Sequence, residues 1–566
     1  MKPVQLSPAT RTRALRDMGS GELDVLIVGG GVVGAGAALD AATRGLRVGL
    51  VEARDWAAGT SSRASKLIHG GLRYLEMLDF ALVHEALRER GLMVQRLAPH
   101  LVRPVPFLYP LSHRVWERPY VGAGVFLYDT MSATGRISRG MPRHRHLSKR
   151  RALKIAPGLN PDSLVGAVQY FDAQVDDARH TMSLIRTAAT YGALVANRAR
   201  VVRYLRDGER VTGAVVADQE TGEETEVRAR QVLSATGVWT DETQALADAS
   251  SVHVRASKGV HLLVPRERID STSGLILRTE KSVLFIIPWG RHWIVGTTDT
   301  DWDLDKDHPT ATAADIDYLL DHANKVLSDP LTKDDIEGVY AGLRPLLSGA
   351  SDQTAKLSRE HLVGTPVPGL TVVAGGKYTT YRVMAKDAVD EVVRGLGADV
   401  PPSVTQDVPL IGADGFKGLW NQRDALAHRT GLSRRQVTQL LRRYGSLLDE
   451  VLALIDDDRT LAEPLPSSDT YMRAEVVYAT THEGARDVED VLARRTRVSI
   501  ESRDRGVESA GITAALMGEA LGWAPDRVTR EAAAYVDQVE AERRAQEQWD
   551  DRSAVTISTK GLAPRD

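Results

Sequence analysis

The stretch from Asp24 to Glu52 constrains this chain most. DVLIVGG is a short β-branched run, GVVGAGAALDAATRG is a helix of small residues, and LRVGLVE is a second strand. Gly29, Gly31 and Gly34 fit the G-x-G-x-x-G pattern at the strand-to-helix turn. Glycine serves there three times: for the tight turn, for backbone approach to a pyrophosphate, and for packing helix on strand. The helix N-terminus offers its free N–H groups to the phosphates. Glu52 closes the second strand, where a carboxylate accepts both ribose hydroxyls and repels a 2′-phosphate. Together these features predict dinucleotide binding. A glycine turn alone would be weak, since such turns are common.

A flavin suits the surroundings better than a nicotinamide. The loop after Glu52, ARDWAAGTSSRASKLIHGG, is long and rich in small residues, as expected of backbone wrapped around a bulky cofactor. Far downstream, Ala235-Thr236-Gly237 follows a predicted strand and returns a small-residue turn to the same place. Non-covalent FAD is the expected cofactor. The chain has no cysteine, which excludes disulfides, thiolate metal sites and iron–sulfur clusters ligated by it, and leaves redox chemistry to another carrier. Asp299, Asp301, Asp303, Asp305 and Asp307 alternate like a metal loop but lack the glycine turn and terminal glutamate of an EF-hand. A solvated loop is expected there, and no metal site.

The 566 residues, 43% hydrophobic and 26% charged, are those of a soluble globular chain with roughly two to four domains. Helical patterns at 80–97, 175–192 and 313–327 alternate with strand patterns, including a hairpin around Asp207–Gly208 and strands over 258–300. VPGLTVVAGG then delivers the chain into a helix near Thr380. After the PPSV linker, strand signals almost vanish and helical patterns recur at 422–430, 434–442, 471–483, 485–494, 508–521 and 526–548. The expected fold is α/β (α+β overall): a Rossmann-like FAD-binding domain, a mixed-sheet substrate domain and an all-helical C-terminal domain. The FAD-binding domain is placed at 22–80, 160–255 and 355–400. The substrate domain takes 81–159 and 256–354, and the helical domain 401–566.

Five blocks carry a resemblance. TSSRASKLIHGGLRYLE (60–76), KGVH (258–261), GTTD (296–299), GLRPL (342–346) and GGKYTTYR (375–382) resemble the signature of FAD-dependent glycerol-3-phosphate dehydrogenases, in order along the chain. Two departures stand out: Tyr378 where an aliphatic residue is expected, and Arg63 where a small one is. The resemblance implies oxidation of sn-glycerol 3-phosphate to dihydroxyacetone phosphate, with hydride passing from C2 to flavin N5 and electrons then to a membrane quinone. Related oxidases use oxygen instead. Cofactor contacts are expected from Gly29, Gly31, Gly34, Glu52, Thr60, Ser61, Ser62, Lys66, His69, Gly70, Ala235, Thr236, Gly237, Gly376, Lys377, Thr379 and Thr380.

The residues suit that chemistry. A phosphate monoester calls for several cationic donors, preferably arginine. Arg73, Tyr74, His261, Arg344, Arg359 and Lys377 are the expected substrate and phosphate shell. The alcohol must also lose a proton, so His69, His261 and Arg344 form the expected catalytic set, with either histidine open as the base. Competing readings are an oxygen-using glycerol-3-phosphate oxidase, an amino-acid oxidase of similar architecture, and a flavin-binding regulatory protein without turnover.

Net charge is only −3, yet it is unevenly spread. No acidic residue lies between Asp129 and Asp162, a window holding Arg136, Arg139, Arg143, Arg145, Lys149, Arg150, Arg151 and Lys154. It follows the aromatic residues Trp116, Tyr120, Phe126 and Tyr128. Cationic and aromatic side chains together suit an anionic membrane surface. No apolar run is long enough to span a bilayer, and the arginine-rich first 23 residues do not read as a secretory signal. The expectation is a cytoplasmic homodimer, peripheral on the cytoplasmic face of the membrane. Nucleic acid is not an expected partner, because the chain is slightly acidic and shows no reader motif.

Overall fold

Leu23–Val28 is nearly all buried, as a central parallel strand must be. In the computed structural model, which describes residues 2–71, 79–113, 116–133, 141–279, 283–348 and 360–560, it pairs in parallel with Val48–Val51 and with Glu224–Ser234. The first sheet runs His361–Val367, Leu370–Gly375, Glu224–Ser234, Leu23–Val28, Val48–Val51, Leu194–Ala196. A hairpin of Ala199–Asp207 and Arg210–Asp218 joins it through Glu224–Ser234, with Gly208 at φ +58° in the turn. Helices Val32–Thr43 and Tyr381–Leu396 pack on this sheet and on each other. Their approach depends on Gly36, where a Cβ would stand 3.0 Å from the Tyr381 ring.

The second sheet runs Thr300–Trp302, Val254–Pro265, His292–Gly296, Val283–Trp289, Gly274–Arg278, Arg103–Leu111, Gly166–Gln174, Leu67–Ile68. Gly338–Leu347 pairs antiparallel with Val254–Pro265 along ten residue pairs. Gly166–Gln174 departs from the sequence expectation, which puts it in the FAD-binding domain. It pairs instead with Arg103–Leu111 in the second sheet. Its run of buried residues would serve a strand of either sheet, so the pairing partner decides. Leu67–Ile68 of the long loop after Glu52 closes the edge of this same sheet. The loop therefore bridges both sheets.

Beyond residue 400 the described chain is helical, with Arg423–Thr430, Arg434–Tyr444, Arg473–His482, Val507–Leu521 and Pro525–Gln546 at the expected places. The helix expected over 485–494 is shorter, a wide turn at Asp490–Arg495. The Asp490 carboxylate accepts the Arg486 N–H at 2.8 Å, and Asp487 accepts the Asp490 N–H at 2.8 Å, so these side chains cap a helical segment that starts a few residues later, at Val488. Leu448–Asp457 and Asp551–Lys560 were not anticipated. The helical domain is fastened by buried ion pairs: Arg179 to Glu483 at 2.6 Å, and Arg494 and Arg495 to Asp55 at 2.6 and 2.7 Å. Among the described residues no helix is long and apolar enough to cross a membrane.

The glycine turn admits no side chain at Gly34, where a Cβ would lie 1.9 Å from the Gly29 carbonyl oxygen. Gly34→Ala is expected to lose about 1–3 kcal/mol and to be purified without flavin. Thermal melting and visible absorbance of the purified variant check both.

Candidate active site

Between the two sheets lies a cavity of about 710 Å³, within the range of cofactor and ligand sites. Its floor is the C-terminal edge of the first sheet, where an open α/β sheet places its ligands. Gly29, Gly31, Glu52, Ala235, Thr236, Gly237, Gly376 and Thr379 line it, with Thr60 and Ser61 at the rim. The Ser61 hydroxyl accepts the Val32 N–H at 2.9 Å at the start of the first helix. Glu52 accepts the N–H groups of Gly30 at 2.6 Å and Arg54 at 2.8 Å, which hold its carboxylate at the cavity wall. Gly237 and Gly376 adopt φ +57° and +77°, so bare backbone faces the space. Backbone cradle, helix N-terminus and ribose-suited carboxylate fit a diphosphate-bridged dinucleotide such as FAD.

The opposite wall comes from the second sheet. Along KGVH, period-two alternation turns Gly259 and His261 into the cavity. Lys258 faces away, where its buried ammonium pairs with Asp315 at 2.6 Å and with Asp551 of the helical domain. Arg344 stands on the neighbouring strand opposite Ser257. Its Nη2 donates to Thr297 Oγ1 at 2.9 Å and to the Thr298 carbonyl at 3.2 Å. A Cβ at Gly259 would stand 2.4 Å from that Nη2, so glycine makes room for the guanidinium.

His261 is stacked on Tyr340, centroids 4.7 Å apart and planes 8° from parallel. Its Nε2 lies 2.8 Å from Ser65 Oγ, and its Nδ1 has no hydrogen-bond partner among the described residues. Burial, with Arg344 and Lys66 adding to it, holds its pKa well below the usual histidine value. The ring is therefore neutral at pH 7. His69 lines the cavity beside Phe285, with its backbone N–H donated to the Thr379 hydroxyl at 3.1 Å. Lys377 lines it too, just before the turn Tyr378–Thr380.

Five expected cofactor contacts sit behind the wall. Gly34 is inside the turn, and Thr380 begins the helix Tyr381–Leu396. Gly70 donates its N–H to the Tyr128 hydroxyl at 2.8 Å. The Ser62 carbonyl accepts from Lys66 Nζ at 2.6 Å. Lys66 itself is a correction: fully buried, it is paired with Asp177 at 2.8 Å and does not line the cavity. Its φ of +59° turns it out of the run its neighbours follow. Arg73, Tyr74 and Arg359 lie outside the described residues.

Sequence reasoning missed Ser65 and Tyr340, which hold His261. Tyr340 carried no signal beyond standing two residues before GLRPL. Arg63, noted only as a departure, lines the cavity. Tyr378, the other departure, donates its hydroxyl to the Asp177 carbonyl at 2.7 Å. The aspartate-rich loop is engaged with arginines, Asp301 with Arg255 at 2.6 Å and Asp307 with Arg54 at 3.6 Å. Among the described residues no cluster suits a metal ion.

Residues 24–382 match the FAD-dependent oxidoreductase family, and residues 403–528 match the C-terminal domain of alpha-glycerophosphate oxidase. The chain is 55% identical over 550 residues to glycerol-3-phosphate dehydrogenase 2 of Mycobacterium tuberculosis, covering 97% of this chain and 93% of that protein. It is 36% identical over 546 residues to the human mitochondrial glycerol-3-phosphate dehydrogenase, 92% of this chain and 74% of that one. The crystal structure of a glycerol-3-phosphate dehydrogenase from Bacillus halodurans complexed with FAD superposes with a TM-score of 0.77 at 28% identity, over 94% of this chain and 98% of that one.

Because Gly259 leaves room for Arg344, Gly259→Ala is expected to fold and keep its cofactor while weakening substrate half-saturation by about tenfold or more. Steady-state kinetics on the purified variant decide it, and an unchanged half-saturation would mean the guanidinium is not used.

Proposed function

The chain belongs to the family of FAD-dependent glycerol-3-phosphate dehydrogenases, and we propose that it oxidises sn-glycerol 3-phosphate to dihydroxyacetone phosphate and passes the electrons to a membrane quinone. The observation that carries this is a single cavity with a dinucleotide cradle on one wall and Arg344, His261 and Lys377 on the other. FAD, when bound, supplies the acceptor for the hydride leaving C2. The rest falls to the chain.

Arg344, held side-on by Thr297 and Thr298, and Lys377 bind the phosphate dianion by charge-assisted hydrogen bonds. Neutral His261 receives the hydroxyl proton as C2 is oxidised, so the alcohol loses one hydride and one proton. Burial is the main reason this imidazole is neutral, and the smaller contribution of Arg344 is offset when a dianionic substrate arrives, which raises its basicity at the moment it is needed. His69 borders the same space.

An exposed surface supports membrane contact. On and beside the helix Glu117–Ala133, Trp116, Tyr120 and Phe126 are 52%, 50% and 63% exposed. Exposed Arg143, Arg145, Lys149, Arg150 and Arg151 follow, fastened to that helix by Asp129–His144 at 2.6 Å and Arg118 to the Leu147 carbonyl at 2.9 Å. Aromatic groups beside a basic strip match an anionic lipid surface on which a quinone is reached.

Anaerobic addition of glycerol 3-phosphate should bleach the oxidised-flavin band of the wild-type protein. In Arg344→Ala the half-saturating concentration should rise about tenfold or more, the loss of one charge-assisted contact. A soluble quinone analogue should sustain turnover without peroxide; stoichiometric peroxide would instead identify an oxidase. Flotation with phosphatidylglycerol vesicles, but not phosphatidylcholine vesicles, is expected. Arg150→Glu with Arg151→Glu should weaken it by several kcal/mol, at about 1 kcal/mol per basic residue removed and more on reversal.

A further inference from the structure

The helical domain sends one side chain deep into the wall of the cavity. Arg497 is buried, and its guanidinium reaches Asp176 Oδ1 at 2.5 Å, Asp177 Oδ1 at 2.6 Å and the Ser62 carbonyl at 3.2 Å. Asp177 is a hub. Its carboxylate also accepts from Lys66 Nζ at 2.8 and 3.0 Å and from the Ala64 N–H at 2.9 Å. Lys66 Nζ in turn lies 4.8 Å from the centre of the Tyr340 ring on which His261 is stacked, and the Tyr340 hydroxyl donates to the Ala64 carbonyl at 3.0 Å. The next residue, Ser65, meets His261 Nε2. Two routes thus lead from Arg497 to one face and one nitrogen of His261, and both pass through the turn Ser62–Lys66.

We propose that Arg497 is a positioning residue for the reaction: it fixes the Ser62–Lys66 turn through Asp177 and Ser62, and that turn aims His261 at the substrate. The helical domain is thereby part of the catalytic apparatus although none of its described residues lines the cavity. The proposal rests on the reading of His261 as proton acceptor given above.

The cluster carries two carboxylates and two cations, all buried except Asp176, which is 18% exposed. Around Lys66 stand Asp176, Asp177, Arg497 and Tyr340, with His261 beyond the ring; Arg179, Tyr378, Tyr471 and Glu501 complete the ionisable groups near the two aspartates. Burial, then the neighbouring Arg497, brings the Lys66 pKa down to about 8, against the pull of Asp177 and Asp176. Lys66 is therefore charged below about pH 8 and loses its grip on the turn above it. Deleting the Arg497 charge removes a repulsion and leaves a carboxylate in excess, so Lys66 holds its proton to higher pH.

The decisive comparison is the pH profile of kcat for Arg497→Met against Arg443→Met. Arg443 pairs with Glu475 inside the helical domain and is similarly buried, so its loss reports damage to the domain alone. Arg497→Met is expected to keep FAD, to lose about tenfold to hundredfold in kcat with KM within about threefold, and to move the alkaline limb up by about one pH unit. Arg497→Lys should restore part of kcat. Arg443→Met should melt earlier yet keep the wild-type limb. A limb that stays put in Arg497→Met, or shifts equally in Arg443→Met, overturns the proposal. If Arg497→Met does not fold, Arg497→Lys combined with Ser65→Ala decides: losses in kcat smaller together than the two singles combined support a shared route to His261, and additive losses overturn it. His261→Asn, run alongside, keeps the two readings apart. Full activity there refutes His261 as acceptor, whereas its inactivity with an unaffected Arg497→Met refutes the positioning role alone.

Discussion

Burying a carboxylate in a protein interior is costly, and the chain does it repeatedly where its domains meet. Asp55, Asp177 and Glu483 are each wholly or almost wholly buried, and each is answered by arginines whose sequence positions lie hundreds of residues away. Removing either partner of such a pair strands an uncompensated charge, at about 3–5 kcal/mol. Disrupting the contact between the flavin-wrapping loop and the helical domain would therefore strand buried charges on both sides. Those same contacts set the shape of the cavity wall.

The two sheets contribute differently to the site. The parallel sheet presents backbone: glycine turns, strand ends and a helix N-terminus, which suit a cofactor carrying phosphates and a large ring. The antiparallel sheet presents side chains, because alternate residues of each strand point to one face. Arg344 and His261 occupy neighbouring strands at registers fixed by the pairs Ser257–Arg344 and His261–Tyr340. A cofactor that reacts through one face and a substrate that needs several directed donors thus meet between the two kinds of surface.

How much of this was legible follows from the range of each signal. The βαβ unit, its glycines and Glu52 could be read because period, turn chemistry and spacing all fall within one short stretch. Arg344 and His261 stood in blocks that resemble a family signature, and it was that resemblance that singled them out. Lys66 was misread because membership of a motif does not say which side of a turn a residue faces, and its left-handed backbone reverses that side. The strand Gly166–Gln174 was placed in the wrong domain because burial on both faces leaves its partner open. Arg494, Arg495 and Arg497 were not singled out, since a bond between positions 497 and 177 leaves no trace in either local pattern.

The strand holding KGVH has one more consequence. Four consecutive residues serve two unrelated ends: Lys258 tethers Asp315 and Asp551 behind the sheet, while Gly259 and His261 face the reaction in front. With a repeat of two, inserting or deleting one residue here would not merely shift the imidazole along the strand. It would turn the ammonium towards the cavity and the imidazole to the far face of the sheet, so both functions would fail at once. A change of length here, unless a bulge took it up, would thus disturb the attachment of the C-terminal helices and the chemistry of the cavity together.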